Sequence, residues 1–177
     1  MRDVVIDEVL SKDIITQPLI WLAAEHQKFR QFCSLIGQIA ASASVMREAM
    51  AQTLTFLRAD LPLHVLNEEG DLFPMLRLRC APEDDVDRVI AALSADHGRD
   101  VAVVTEIAGL IDEAVRLDRP IPHGSYAQQR LRDFAISQGE HIALEDAVVL
   151  PLARASLGPE DLAVLAERMA GRRGLRT

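Results

Sequence analysis

The chain has 177 residues, with 19 basic against 27 acidic side chains and a net charge of −8. That length holds one domain with a sizeable buried core, and the acidic balance argues against nucleic acid and against an anionic membrane as partners. Nearly half the residues are apolar, few are aromatic, and Ala and Leu are abundant, which favours helix over sheet.

Two cysteines, Cys33 and Cys80, make neither a disulfide framework nor a Cys-x-x-Cys pair. The opening stretch, residues 1–8, carries acids where a signal peptide needs an apolar run. No run approaches the roughly 20 apolar residues that span a bilayer. The expectation is a soluble, cytoplasmic protein with reduced thiols.

In chain order, residues 1–15 mix apolar and acidic residues without a clear period and read as an arm or a short helix. Thr16-Gln17-Pro18 then looks like a helix start, because a proline in the first turn lacks an N–H that would have no partner anyway. Leu19, Leu22, Ala23, His26, Phe29, Arg30 and Cys33 follow at spacings of three and four, which predicts a helix from about Pro18 to about Ala41.

A second helix is expected from near Ser44, with Val45, Ala49, Leu54, Leu57, Leu61, His64 and Glu68 roughly on one face and a kink at Pro62. Gly70 and Pro74 should loosen its end near Leu78. Pro82-Glu83-Asp84-Asp85 opens a third helix with acids at its positive end. That helix carries Val86, Val89, Ile90, Leu93, His97, Val101, Val104 and Ile107 at the helical period. Residues 118–124 are a Pro- and Gly-containing loop, and Ser125 is a plausible cap for a fourth helix running to about Ser156. A short fifth helix covers about 159–170. The basic cluster Arg168, Arg172, Arg173 and Arg176 reads as a solvated tail.

Two stretches share one pattern. His64-Val-Leu-Asn-Glu68-Glu69-Gly-Asp-Leu72-Phe73-Pro74 and His141-Ile-Ala-Leu-Glu145-Asp146-Ala-Val-Val149-Leu150-Pro151 each run His, three residues, Glu, a second acid, two residues, two apolar residues, Pro. His and Glu four apart share one helical face. Each stretch is preceded by a helix bearing an acid–His dipeptide, Glu25-His26 and Asp96-His97. The chain therefore reads as two similar helix hairpins that pack into an all-α, antiparallel up-down four-helix bundle. The short fifth helix and the N-terminal arm complete a single domain over 1–177, with the bundle core at about 18–156.

Imidazole and carboxylate donors suit iron, zinc or manganese. Glu68 and Glu145 are placed to bridge two ions, and two bridging carboxylates cancel half the charge of two divalent cations. The acids beside them, Glu69 and Asp146, and those beside the histidines, Glu25 and Asp96, read as solvated, since neighbouring helical residues point about 100° apart. Trp21, Phe29, Phe32, Phe56, Phe73 and Phe134 read as core, Cys33 as packing, and Pro74 and Pro151 as residues that end or bend helices. Tyr126, about 22 Å along a helix from His141, is too far to reach the ions.

On these motifs the chain resembles the hemerythrin family in its bacterial HHE-domain form, over about residues 18–155. The resemblance rests on the order His, His-x-x-x-Glu, His, His-x-x-x-Glu, and on Glu-Glu-x-x-Leu-Phe-Pro and Glu-Asp-x-x-Val-Leu-Pro. It implies a helical bundle around a non-haem di-iron centre. His26 and His64 would ligate one iron, His97 and His141 the other, and Glu68 and Glu145 would bridge. The oxygen carriers of the family have a further histidine four residues after the third-helix histidine. Here that position is Val101, which leaves a coordination position for water, or for Asp100 or Glu69.

The departure at Val101 favours sensing or handling of oxygen, nitric oxide, peroxide or iron over reversible oxygen carriage. A small diatomic or peroxide ligand is the expected partner, with a protein partner or homodimer left open, and a binding or sensing role is favoured over catalysis. The alternative is a helical protein-interaction module with a structural metal or none.

Overall fold

The computed structural model describes residues 12–175. Among them there is no strand; the helices are α1 (Lys12–Ile15), α2 (Pro18–Ala41), α3 (Arg47–Thr55), α4 (Leu61–Asn67), α5 (Phe73–Arg79), α6 (Val86–Leu117), α7 (Tyr126–Leu144), α8 (Leu150–Ser156) and α9 (Pro159–Arg172). Residues 1–11 of the expected arm, and Arg176, lie outside the described residues; 12–15 form one helical turn. No helix among the described residues is long and apolar enough to cross a membrane.

α3, α4 and α5 join through two π-helical turns, Phe56–Asp60 and Glu68–Leu72, into one rod over 47–79. α7 and α8 join through a third, Glu145–Val149, into a rod over 126–156. With α2 and α6 these make four long rods. α2 packs along α7 for much of its length, α6 packs on α3, α5 and α7, and α9 lies against α2 and α4.

The helix ends follow local chemistry. Pro18 opens α2, whose first bonds run from the Ile20 and Trp21 N–H groups to the Gln17 carbonyl. Ser125 caps α7 by accepting the Gln128 N–H at 3.1 Å. The second rod starts at Arg47 rather than near Ser44, because Ser42 Oγ bonds both the Ser44 carbonyl and the Ser44 N–H and holds a turn there. The Pro82 segment forms a 3₁₀ turn; α6 itself begins after Asp85, whose φ of 51° is left-handed.

The sequence predicts a kink without a stop at Pro62, and an end or a bend at Pro74 and Pro151; the helix continues through all three. Pro74 and Pro151 do not end their helices, and Pro62 does not interrupt its rod. Each is the second residue after a π turn. A proline in a regular helix removes one bond and its ring meets the carbonyl four residues back. Here the bond just before the ring is lengthened by one residue: Leu61 N–H to the Phe56 carbonyl, Phe73 to Glu68, and Leu150 to Glu145. The wider turn accommodates the ring and keeps the helix continuous.

The core consists of two apolar clusters. One is built around Phe29, Phe32, Phe56, Ile107 and Phe134; the other around Trp21, Leu22, Phe73, Leu93 and Leu150. Along each rod the histidines fall between residues of the two clusters, as His26 does between Leu22 and Phe29. The polar residues of the two repeated stretches thus form a layer that divides the core.

The C-terminal arginines are not a solvated tail. Arg168 donates to Asp71 Oδ1 at 2.6 Å, and Arg172 Nη2 stands 2.5 Å from Asp71 Oδ2 while its Nη1 donates to Asn67 at 3.0 Å. Arg173 pairs with Glu25 and lies 5.0 Å from the Trp21 ring centre. The amphipathic face of α9 brings these cations onto the rod that carries Asp71, a buried carboxylate. Asp71→Ala should lower stability by about 1.5–3 kcal/mol, since it removes charged hydrogen bonds from a buried position. Arg168→Ala should cost about 0–1 kcal/mol, because that guanidinium is 55% exposed. Equal effects in denaturant unfolding would contradict this pairing.

Candidate metal centre

Four rods each contribute to one buried cluster: His26 from α2, His64 and Glu68 from the second rod, His97 from α6, and His141 and Glu145 from the fourth. His64 and His141 lie in the last turns of α4 and α7, and Glu68 and Glu145 are the first residues of π turns. The four-residue His–Glu spacing therefore stays on one face before the helix widens. All six side chains the sequence singles out are brought together.

The contacts divide into two halves. In the first, His26 Nε2 is 3.3 Å from Glu145 Oε2 and 4.0 Å from Glu68 Oε1. His64 Nε2 is 3.3 Å from Glu68 Oε1 and 3.9 Å from Glu145 Oε2. In the second, His97 Nε2 is 3.4 Å from Glu68 Oε2, His141 Nε2 is 2.8 Å from Glu145 Oε1, and the two ring nitrogens are 3.0 Å apart. Each half gathers four donors lying within 4.8 Å of one another. Each glutamate turns one oxygen to each half.

Several of these atoms lack a hydrogen-bond partner: His26 Nε2, His64 Nε2, Glu68 Oε2 and both oxygens of Glu145 are buried and unpaired among the described residues. His141 Nε2 and Glu145 Oε1 are close but not aligned as a hydrogen bond. Buried polar atoms are rarely left in that state. The spacing explains it. Neighbouring donors held about 2.1 Å from a common cation stand about 3.0–3.4 Å apart. The donor set and its orphaned atoms fit cations, and the thiolates of a structural zinc site are missing from it.

The acids beside the ligands are not solvated, contrary to the sequence expectation. Glu25 Oε2 is 2.9 Å from His64 Nδ1, Glu69 Oε1 2.7 Å from His97 Nδ1, Asp96 Oδ2 3.5 Å from His141 Nδ1, and Asp146 Oδ1 2.7 Å from His26 Nδ1. A side chain turned about 100° from the centre points at the next rod, and there it meets that rod's imidazole. The four contacts close a ring around the cluster. In each, Nδ1 is the donor, which turns Nε2 inward towards the cluster. Three of the acids are held in turn by Arg173, Arg99 and Arg30, and Glu69 accepts from Ser94 Oγ at 3.0 Å. The signal was in the sequence: every inward His or Glu pair has an acid next to it.

The electrostatics follow from burial and proximity. Burial, and then the charge of Glu145, raise Glu68 to about 7. Burial alone would also raise Glu145, but the imidazoles of His141 and His64 outweigh it and hold that carboxyl well below its usual range. Burial lowers His26 to about 4 and also lowers His97. At His141 and His64 burial is outweighed by the carboxylates, which raise His141 to about 9 and His64 well above its ordinary value. The facing pair His97 and His141 thus consists of a neutral ring accepting from a charged one.

The two carboxylates named for the position left by Val101 both have partners in the protein. Glu69 is engaged by His97 and Ser94, and Asp100 by Gln138 Nε2 at 2.6 Å. Val101 itself is 71% exposed and lines an open cavity rather than the core. Cys33 is a packing residue whose thiol burial pushes up to about 11, and Tyr126 donates to Glu106, away from the cluster. The six aromatic residues expected in the core are buried.

None of the curated proteins matches this chain. The family model of the hemerythrin HHE cation-binding domain matches residues 17–153, a span that takes in the first three rods, most of the fourth and every residue of the cluster. The chain belongs to the hemerythrin family, as a hemerythrin HHE cation-binding domain.

Proposed function

We propose that this chain is a non-haem di-iron protein that senses or handles oxygen, nitric oxide or peroxide. The observation that carries the reading is the division of each central carboxylate, with Glu68 and Glu145 each directing one oxygen towards each pair of imidazoles. His26 and His64 would hold one ion, His97 and His141 the other, with both glutamates bridging. In this reading the four rods run antiparallel, up and down, within one domain. Zinc or manganese are the other ions this donor set accepts. Two free cysteines agree with a reducing, cytoplasmic setting.

When bound, such ions supply Lewis acidity and one-electron redox chemistry. The protein's own residues do the rest. The outer carboxylates fix each imidazole in the Nδ1–H form. The apolar clusters on either side exclude water. Val101, in place of a further imidazole, leaves room on the side of His97 and His141 for a small ligand, which favours sensing or turnover over a fully ligated structural site.

Anaerobic loading with iron(II), followed by metal analysis and a visible spectrum under air, should give about two irons per chain and a charge-transfer band. Glu68→Ala should retain one iron or fewer; a variant that keeps both would remove Glu68 as a bridge. Glu25→Ala and Asp146→Ala should weaken iron binding about 10–100-fold by freeing the imidazoles they orient; unchanged affinity would contradict that role.

Metal uptake should also release protons. At pH 7 the metal-free His141, raised to about 9, is protonated and Glu68, raised to about 7, is about half protonated; both give up that proton to bind, and the carboxylates around His64 shift it in the same direction. Calorimetry in two buffers of different ionisation enthalpy should report a net release of more than one proton. Apparent affinity should rise with pH until His141 titrates at about 9. Proton release near zero would contradict the assignment.

A further inference from the structure

The second rod and α6 do not close on each other beside the cluster. α6 turns Val101, Val104, Ala108 and Gly109 to one side, spaced along a single face, and the opposite wall is Leu57, Leu61 and Val65. Small side chains on one wall leave an open cavity of about 850 Å³. Its buried end is formed by His64, His97 and His141, and near its exposed edge Arg58 is paired with Asp112.

That bulk is out of scale for a diatomic molecule. A water-sized molecule takes roughly 30 Å³, whereas pockets of about 300–1,000 Å³, mostly apolar with a few placed polar groups, hold organic ligands. The placed groups here are Asp100 and Gln138. Gln138 is buried and spends one N–H on Asp100 Oδ2. Its second N–H and Asp100 Oδ1 have no hydrogen-bond partner among the described residues. One donor and one acceptor side by side match a hydroxyl, which both gives and accepts. An anionic head group placed on the Asp100–Gln138 pair is repelled by Asp100, and among the described residues the guanidinium on the lining, Arg58, is already held by Asp112.

We propose that this cavity binds a neutral, mainly apolar organic molecule through a hydroxyl group, an alcohol or a phenol, with the hydroxyl on the Asp100–Gln138 pair. The hydrocarbon body lies between the second rod and α6, where Val104 and Ala108 leave the space. The seat is built from protein groups alone. It stands or falls separately from the di-iron reading.

Titration of the full chain with 1-naphthol, in metal-free and iron-loaded forms, tests this. Both forms should bind one 1-naphthol per chain, at least tenfold more tightly than naphthalene or 1-naphthoate. Val104→Trp, which fills the space from a half-buried position, should weaken binding at least tenfold; Ala108→Phe makes the same test if the first variant does not fold. Asp100→Ala should bring 1-naphthol down to the affinity of naphthalene. Several results would overturn the proposal: no binding of 1-naphthol up to its solubility, binding by the iron-loaded form alone, equal binding by the filled variants, or no preference for the hydroxyl.

Discussion

Two carboxylates, Glu68 and Glu145, are sealed side by side between two apolar clusters, and the rest of the structure is arranged around that placement. Bringing one charge out of water costs on the order of several kcal/mol even after relaxation, and like charges in contact add to it. The surrounding imidazoles offset part of this cost. The inward nitrogens of His26 and His64, and three of the four carboxylate oxygens, still lack hydrogen bonds. A core that tolerates this many orphaned atoms in one layer is shaped for positive charge supplied from outside the chain. Each layer of the structure answers to that need: the outer acids orient the imidazoles, and the arginines beyond them hold three of those acids.

The ring of outer acids also links the rods to one another. Glu25 leaves α2 for His64, Glu69 leaves the second rod for His97, Asp96 leaves α6 for His141, and Asp146 returns from the fourth rod to His26. Because every rod both gives and receives one such contact, displacing any rod disturbs two imidazoles. The longest contact, Asp96 to His141, belongs to the half whose two imidazoles both border the open cavity. The more tightly held half, His26 and His64, lies against Phe29, whose ring centre is 4.5 Å from that of His64. The cavity reaches both halves, since His64 lines it together with His97 and His141, whereas His26 is not on its lining.

The helices and the six central residues were legible in the sequence because their signals are local. The three- and four-residue spacing gave α2 its bounds, Ser125 its role as a cap, and His-x-x-x-Glu its shared face. What was not legible depends on partners from distant rods. The acids beside the ligands looked solvated because a single helix has no neighbour, yet the direction away from the centre is the direction of the next rod. The C-terminal arginines looked like a tail until Asp71 and Glu25 were placed under them. The prolines read as a kink, or as an end or a bend, because a π turn has no sequence signature of its own; only the lengthened bonds to Phe56, Glu68 and Glu145 reveal how the rings are accommodated. The cavity was hidden for the same reason, since Val101 and Val104 fit an apolar face whether or not a partner covers it.

The central claim is that four imidazoles and two shared carboxylates hold a pair of ions. Anomalous scattering at the iron edge from crystals of the iron-loaded protein tests it most directly. The account predicts two peaks less than about 4 Å apart, lying between Glu68 and Glu145, with His26 and His64 on one and His97 and His141 on the other. A single peak, or iron bound away from these six side chains, would contradict it.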